Sequence, residues 1–178
     1  MDWREYLAAA SQKIGIVQYH AKCLKMLRDT AAGADGLPPI PVQAHFEAVV
    51  FSVIAAVDQV AQAVNSALTL RLDPATLVQV AFDRLSKGIP QVAEWFNEPI
   101  GIDLRRLRTR MMHYAYTKTC GSPGWVVEPT KSAFTGSREL NDYSASAADY
   151  ATRLNDLLPE IERYLVVQSR PIEPDIAG

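Results

Sequence analysis

The residues with the clearest capacity for chemistry lie in one stretch of the sequence, from Asp103 to Lys118. Four arginines occur among the six residues 105–110, and His113 follows three positions after the last of them. An imidazole exchanges protons near neutral pH, and a guanidinium holds anionic oxygens with a fixed fork of donors. This combination favours a site that acts on a phosphate group.

The spacing within this stretch predicts a helix from about 102 to 118 that has two different faces. Its apolar residues recur at three- and four-residue intervals, which indicates a face packed into a core: Leu104, Leu107, Met111 and Tyr114. A second face carries polar and cationic residues: Arg106, Arg110, His113 and Thr117. Arg108 lies between the two faces.

The charge of the chain is distributed unevenly. Residues 101–120 carry five basic residues and one acidic residue, a net charge of +4, whereas the whole chain has a net charge of -2. The remaining 158 residues therefore sum to -6. The overall charge argues against a general nucleic-acid coat protein, and the local cationic patch on an acidic body favours a site for a particular anion.

Length and composition predict one globular domain over residues 1–170, with a flexible tail at 171–178. Cys23 and Cys120 are far apart and form no CxxC pair, which favours a reducing, cytoplasmic location. The polar N-terminus does not resemble a signal peptide. Polar residues interrupt the apolar segment around 48–70, so it is expected to be a buried core helix and no membrane partner is expected.

The apolar periodicity predicts an all-α bundle of four to five long helices with an up-and-down arrangement. The first expected helix begins at Asp2 and fades near 30–32, and the second runs from about Val42 to Arg71. A third runs from Asp73-Pro74 to Lys87, and a short one starts at Pro90. The helix from 102 to 118 follows, and the last helix starts at 144–146 and has a kink at Pro159. Residues 119–143 are expected to form a long connection, with a small hairpin pairing 125–127 with 132–134.

The segment Arg108-Thr-Arg-Met-Met-His113 resembles the motif of the HEPN superfamily. These are all-α bundles whose ribonuclease members carry an arginine, a polar residue, a short spacer and a histidine on a late helix. Arg108 has the family's four-residue spacing to His113, and Arg106 has its six-residue spacing. Thr109 stands where the family most often has asparagine. The layout is also similar, because long helices precede the motif helix and one helix follows it.

The resemblance implies a metal-independent endoribonuclease that needs no cofactor. It implies catalytic roles for Arg108 and His113, and RNA binding by Arg106, Arg110 and Tyr116. Arg108 is about 140° away from His113 around a straight helix. In HEPN ribonucleases, two motif helices meet across a homodimer and form one composite site. The resemblance therefore implies that an arginine and a histidine on different faces of the helix could meet across two subunits. A homodimer with RNA as its ligand is therefore expected.

Three other interpretations remain open. His113 and the arginines could be a boundary histidine and a solvated face paired with nearby carboxylates. The chain could be a non-catalytic helical interaction protein whose apolar second helix packs on a protein partner. A metal site would need histidines from several helices. If the first two helices turn near residue 37, however, His20 and His45 lie roughly 13 Å apart along the axis and cannot share one ion.

Overall fold

The computed structural model describes residues 2–27, 39–111, 126–127 and 138–169, and the side chains among them apart from those of 106–111, 126–127 and 138–141. These residues form an all-α bundle, as the sequence predicts. Its helices are α1 (Trp3–Met26), α2 (Ile40–Ala67), α3 (Leu77–Gly88), α4 (Pro90–Phe96), α5 (Pro99–Met111) and α6 (Leu140–Gln168). Two short strands, β1 (Val126–Val127) and β2 (Arg138–Glu139), pair antiparallel.

Helix α1 begins with the capping box that its sequence predicts. The Asp2 side chain accepts a hydrogen bond from the backbone of Arg4 at 3.3 Å, and the Glu5 carboxylate accepts one from the backbone of Asp2 at 3.1 Å. Both bonds satisfy donors that the first helical turn leaves unpaired. The helix ends at Met26, however, and not near residues 30–32 as expected.

Helix α2 is the centre of the bundle and packs against α1, α3, α5 and α6. Twelve of its residues are buried, among them Phe46, Val53 and Val60. Its length and its mean hydropathy of 1.7 over the most apolar window would also suit a membrane span. In the structure, however, the helix contacts four other helices, as a core helix does. Phe51 is exposed on this helix.

Several helix boundaries differ from those expected, and local hydrogen bonds explain two of them. Helix α2 stops at Ala67, before Arg71, because the Asn65 side chain accepts from the backbone of Leu72 at 3.0 Å and because Thr69 and Arg71 adopt positive φ. Asp73 caps only a turn, since its side chain accepts from Ala75 and its carbonyl from Leu77. Regular α3 therefore begins at Leu77.

The other differences lie in the second half of the chain. Helix α5 begins at Pro99, three residues before the expected start, and α6 begins at Leu140 instead of 144–146. Val126 and Val127 form the first strand of the expected hairpin, but they pair with Glu139 and Arg138 and not with 132–134. Helix α6 continues through Pro159. The tail at 171–178 lies outside the described residues.

Candidate functional site

The structure places the motif arginines on a helix. The backbone of α5 is helical from Pro99 to Met111, so Arg106, Arg108 and Arg110 all stand on it, although their side chains are not among those described. His113 and Tyr116 lie outside the described residues. The described side chains around the motif are therefore those of the first half of α5 and of the helices that hold it.

The first two turns of α5 are fixed by burial. Ile100 and Leu104 belong to the hydrophobic core, and Asp103 is also buried. Gly101 lies against the side chain of Tyr150 on α6, and a Cβ atom at this position would be 2.3 Å from the Tyr150 hydroxyl oxygen. Only a residue without a side chain allows this approach of α5 to α6.

Arg105, the first arginine of the cluster, is used to hold the structure together. Its Nη2 donates to the backbone carbonyl of Phe96 at 2.8 Å, and its Nη1 is 3.5 Å from the Tyr150 hydroxyl. Its guanidinium also lies 4.0 Å from the centre of the Phe96 ring, which is a cation–π contact. The sequence pattern did not separate Arg105 from its neighbours, because all four arginines have the same chemistry.

A second arginine ties the start of α5 to α6. Arg153 makes a two-pronged ion pair with Glu98, the residue that precedes α5, and the Nη2–Oε2 distance is 2.6 Å. Its Nε atom lies 3.3 Å from the carboxylate of Asp149. The hydrogen bond to Glu98 raises the pKa of Arg153, against the opposing effect of burial. We refer to Glu98, Gly101, Arg105, Tyr150 and Arg153 as the α5–α6 junction.

Tyr150 is the buried centre of this junction. Its ring stacks on Trp95 at a centroid distance of 4.3 Å, and the Trp95 indole donates to its backbone carbonyl at 2.9 Å. Burial raises the pKa of Tyr150 well above its ordinary value, and the nearby Arg105 offsets only part of this effect. Tyr150 is therefore neutral at physiological pH and has a structural role.

A shallow groove of about 530 Å³ lies beside the junction, where α5 begins. It is lined by Pro99, Ile100, Ala145, Ser146, Asp149 and Arg153. The guanidinium in it is already held by two carboxylates, so the groove offers no free cation to an anionic ligand among the residues that the structure describes. It does not add to the phosphate chemistry expected of the motif.

The structure corrects the expected separation of the first two histidines. His20 on α1 and His45 on α2 are in direct contact, with 2.7 Å between their Nδ1 atoms and not roughly 13 Å. His20 therefore lies level with His45 along the packed pair α1 and α2, and the assumption of a turn near residue 37 was wrong. The histidines nevertheless do not form a full ligand set, because no three His, Cys, Asp or Glu residues of the described part of the chain gather around one point.

Comparison with known proteins adds no family to these observations: no family model, curated protein or solved structure matches the chain. The resemblance to HEPN proteins therefore stays a prediction from the sequence motif.

Proposed function

We propose that the protein is a HEPN-like, metal-independent endoribonuclease that acts as a homodimer. The observation that carries the proposal is the placement of the motif arginines. Arg106, Arg108 and Arg110 follow one another on the backbone of α5, a late helix whose start is fixed by the α5–α6 junction. A helix held in this way supports a precisely positioned site better than a loop does.

The proposed chemistry needs only side chains. The 2′-hydroxyl of one nucleotide attacks the adjacent phosphorus, and the bond to the 5′-oxygen of the next nucleotide breaks. His113 exchanges a proton with the attacking or the leaving oxygen, and Arg108 stabilises the charge that builds on the phosphoryl oxygens. The products are a 2′,3′-cyclic phosphate and a 5′-hydroxyl, so no water or redox partner enters the cleavage step.

The remaining candidate residues would hold the RNA. Arg106 and Arg110 are one helical turn apart in sequence and suit successive phosphates, whereas Tyr116 can stack on a base or donate to a phosphate. If α5 continues past Met111, Arg106 and His113 share a face and Arg108 does not. Two copies of the helix, meeting across a dimer, would bring an arginine of one subunit to the histidine of the other.

The proposal is tested by cleavage of a labelled RNA in the presence of EDTA. We expect the wild-type protein to cut the RNA and His113→Ala and Arg108→Ala to lose about 10²–10⁴-fold in rate, since each variant removes one group that acts in the transition state. The matched control is Arg84→Ala, which removes an exposed arginine of α3 and should cut at the wild-type rate. Circular dichroism should show the same helix content in all four proteins.

Three results would count against the proposal. If all variants cut equally, the activity belongs to a contaminant. If cleavage stops in EDTA and returns with added metal, the chemistry is different. If no RNA is cut by the wild-type protein under any salt condition, the non-catalytic alternative gains.

That alternative, a helical interaction protein, is favoured by the apolar residues that α1 and α2 leave exposed. Met26 and Ile40 are 78% and 81% exposed, and Phe51, on the most deeply packed helix, is 43% exposed. Both functions predict a dimer at micromolar concentration by light scattering. Phe51→Ser should weaken assembly if this side of α2 meets a second copy, whereas the control Val167→Ser, at an exposed position of α6, should not. A monomeric wild-type protein would contradict both the dimer and the composite site.

A further inference from the structure

The contact between His20 and His45 is the feature of the fold that the proposed function leaves unused. It joins α1 to α2 near the ends that are connected in sequence, six residues before the end of α1 and five residues after the start of α2. Both rings are partly buried. The geometry of the contact shows what kind of interaction it is.

The two rings point their Nδ1 atoms directly at each other. The ring centroids are 5.0 Å apart and the Nδ1 atoms 2.7 Å apart, a difference of 2.3 Å. This difference is close to twice the distance from an imidazole centroid to its own nitrogen. Both nitrogens therefore lie nearly on the line that joins the centroids. That is the arrangement of an N–H···N hydrogen bond, whereas two ligands of one metal ion would converge at an angle.

Such a contact fixes the number of protons between the rings. A neutral imidazole has one N–H group and one bare nitrogen, so the contact is favourable only when one Nδ1 carries a proton and the other accepts it. A first additional proton can be taken up at the far nitrogen of the donor ring, and the hydrogen bond then becomes charge-assisted and stronger. A second additional proton must go to the accepting Nδ1. Two N–H groups would then face each other at 2.7 Å, and the rings must separate.

We propose that His20 and His45 form a proton-sharing clasp that holds the connected ends of α1 and α2 together until both rings are protonated. The clasp is closed in the neutral and singly protonated states and open in the doubly protonated state. It is a pH-sensitive device of the fold and does not depend on the ribonuclease proposal.

The titratable groups around the two rings can be named for the part of the chain that the structure describes. On α1 the neighbouring titratable groups are Tyr19, whose ring lies 5.1 Å from that of His20, Cys23, which is hydrogen-bonded to Tyr19, and the exposed Lys22. Glu47 is the acidic residue nearest to His45 in the sequence of α2. On α6, Tyr143 packs on Phe46, next to His45, and Asp142 precedes it. Among the described residues, neither histidine forms an ion pair with a carboxylate.

The direction of titration agrees with the geometry. Burial lowers the pKa of His20 below its ordinary value, and a charge on His45 lowers it further. A base whose pKa is lowered by folding binds more protons in the unfolded chain. For the proton that opens the clasp, the loss of stability is therefore absent above the unfolded pKa of about 6.5 and grows as the pH falls from there towards the lowered pKa of the folded protein.

The first test is an NMR titration of the histidine side chains in EDTA. We expect the resonances of His20 to show a second step that burial and the charge on His45 displace below the ordinary histidine range. In His45→Asn the amide can accept a hydrogen bond from His20 but cannot become charged. His20 should then titrate in one step, at a higher pH than the second step of the wild type. Independent single-step curves, with that of His20 unchanged in His45→Asn, would overturn the clasp.

The second test measures opening of the helix ends directly. Amide hydrogen exchange of residues 18–26 and 40–47, corrected for the intrinsic effect of pH, should lose protection in the wild type as the pH falls from about 6.5 through the second titration step. His45→Asn and the reciprocal His20→Asn should keep their protection over the same range, because neither can place two positive rings in contact. Equal loss in wild type and both variants would show that acid opens the hairpin without the histidines.

Discussion

Helix α6 makes polar contacts on two sides, and the two sets differ in kind. Towards α5, the contacts of the α5–α6 junction are charged, partly buried and made by several bonds at once. Towards α1, they are single contacts between exposed side chains: Ser11 with Asn155, Gln18 with Thr152 and, at 3.8 Å, Arg4 with Glu162.

The difference shows which side of α6 determines the position of its neighbour. Exposed single contacts compete with water and contribute little, so α1 is held on α6 mainly by its buried apolar seam, which includes Leu7, Ile14 and Val17. Such a seam tolerates small shifts. The junction combines a glycine approach, a two-pronged ion pair and a stacked tyrosine, which together allow few alternative positions for α5. The helix that carries the motif arginines is thus positioned on α6 by stronger polar contacts than α1 is.

The largest expected difference in unfolding free energy between the two sides comes from replacing one glycine on α1 and one on α5 by alanine. Alanine normally stabilises a helix interior by about 0.5–1 kcal/mol relative to glycine. At Gly15 on α1, where nothing lies within 4 Å of the added atom, Gly15→Ala should show this gain. At Gly101 the added atom meets Tyr150, whose ring is held by Trp95, so Gly101→Ala should cost about 1–3 kcal/mol.

The free energy of unfolding in urea, measured for both alanine variants and the wild type, checks this contrast. Opposite signs are expected. A stabilising Gly101→Ala would show that Tyr150 moves aside easily and that the junction does not fix α5 in the way its contacts indicate.

Much of the bundle could be predicted from the sequence, because the relevant signals are local. The capping box at Asp2 and Glu5 and the proline that opens α4 each act within a few residues, and both are found in the structure. The start of α3 was misjudged although its signal is local. Asp73 followed by Pro74 can cap a turn as well as a helix, and here it caps a turn.

Contacts between helices could not be predicted in the same way. The facing residues of a helical hairpin depend on the midpoint of its turn. An error of about four and a half residues in that midpoint moves the facing position by about nine residues, or about 13 Å along a helix. This is why His20 and His45 were expected to be far apart. The role of Arg105 was missed for a related reason, because Phe96 and Tyr150, which hold it, belong to other helices.

A smaller effect should come from neutralising one carboxylate on each side of α6. Glu98→Gln keeps the size of the side chain but removes the charge that meets Arg153 in two hydrogen bonds. The side chains are 26% and 43% exposed, so water screens part of the interaction. We expect a loss of about 1–2 kcal/mol, the lower part of the range for hydrogen bonds to charged groups. Asp149 remains beside Arg153 and limits the loss further.

Glu162→Gln is the matched control, since Glu162 meets Arg4 at 3.8 Å with both side chains about half exposed. Its unfolding free energy should change by less than about 0.5 kcal/mol. Urea unfolding of both variants at low and high salt gives the comparison, because screening should remove the Glu162 effect and leave much of the Glu98 effect. Equal losses that salt abolishes would mean that the ion pair at the junction is no stronger than a surface pair. Among the contacts of the α5–α6 junction, the position of α5 would then rest on Gly101, Arg105 and Tyr150.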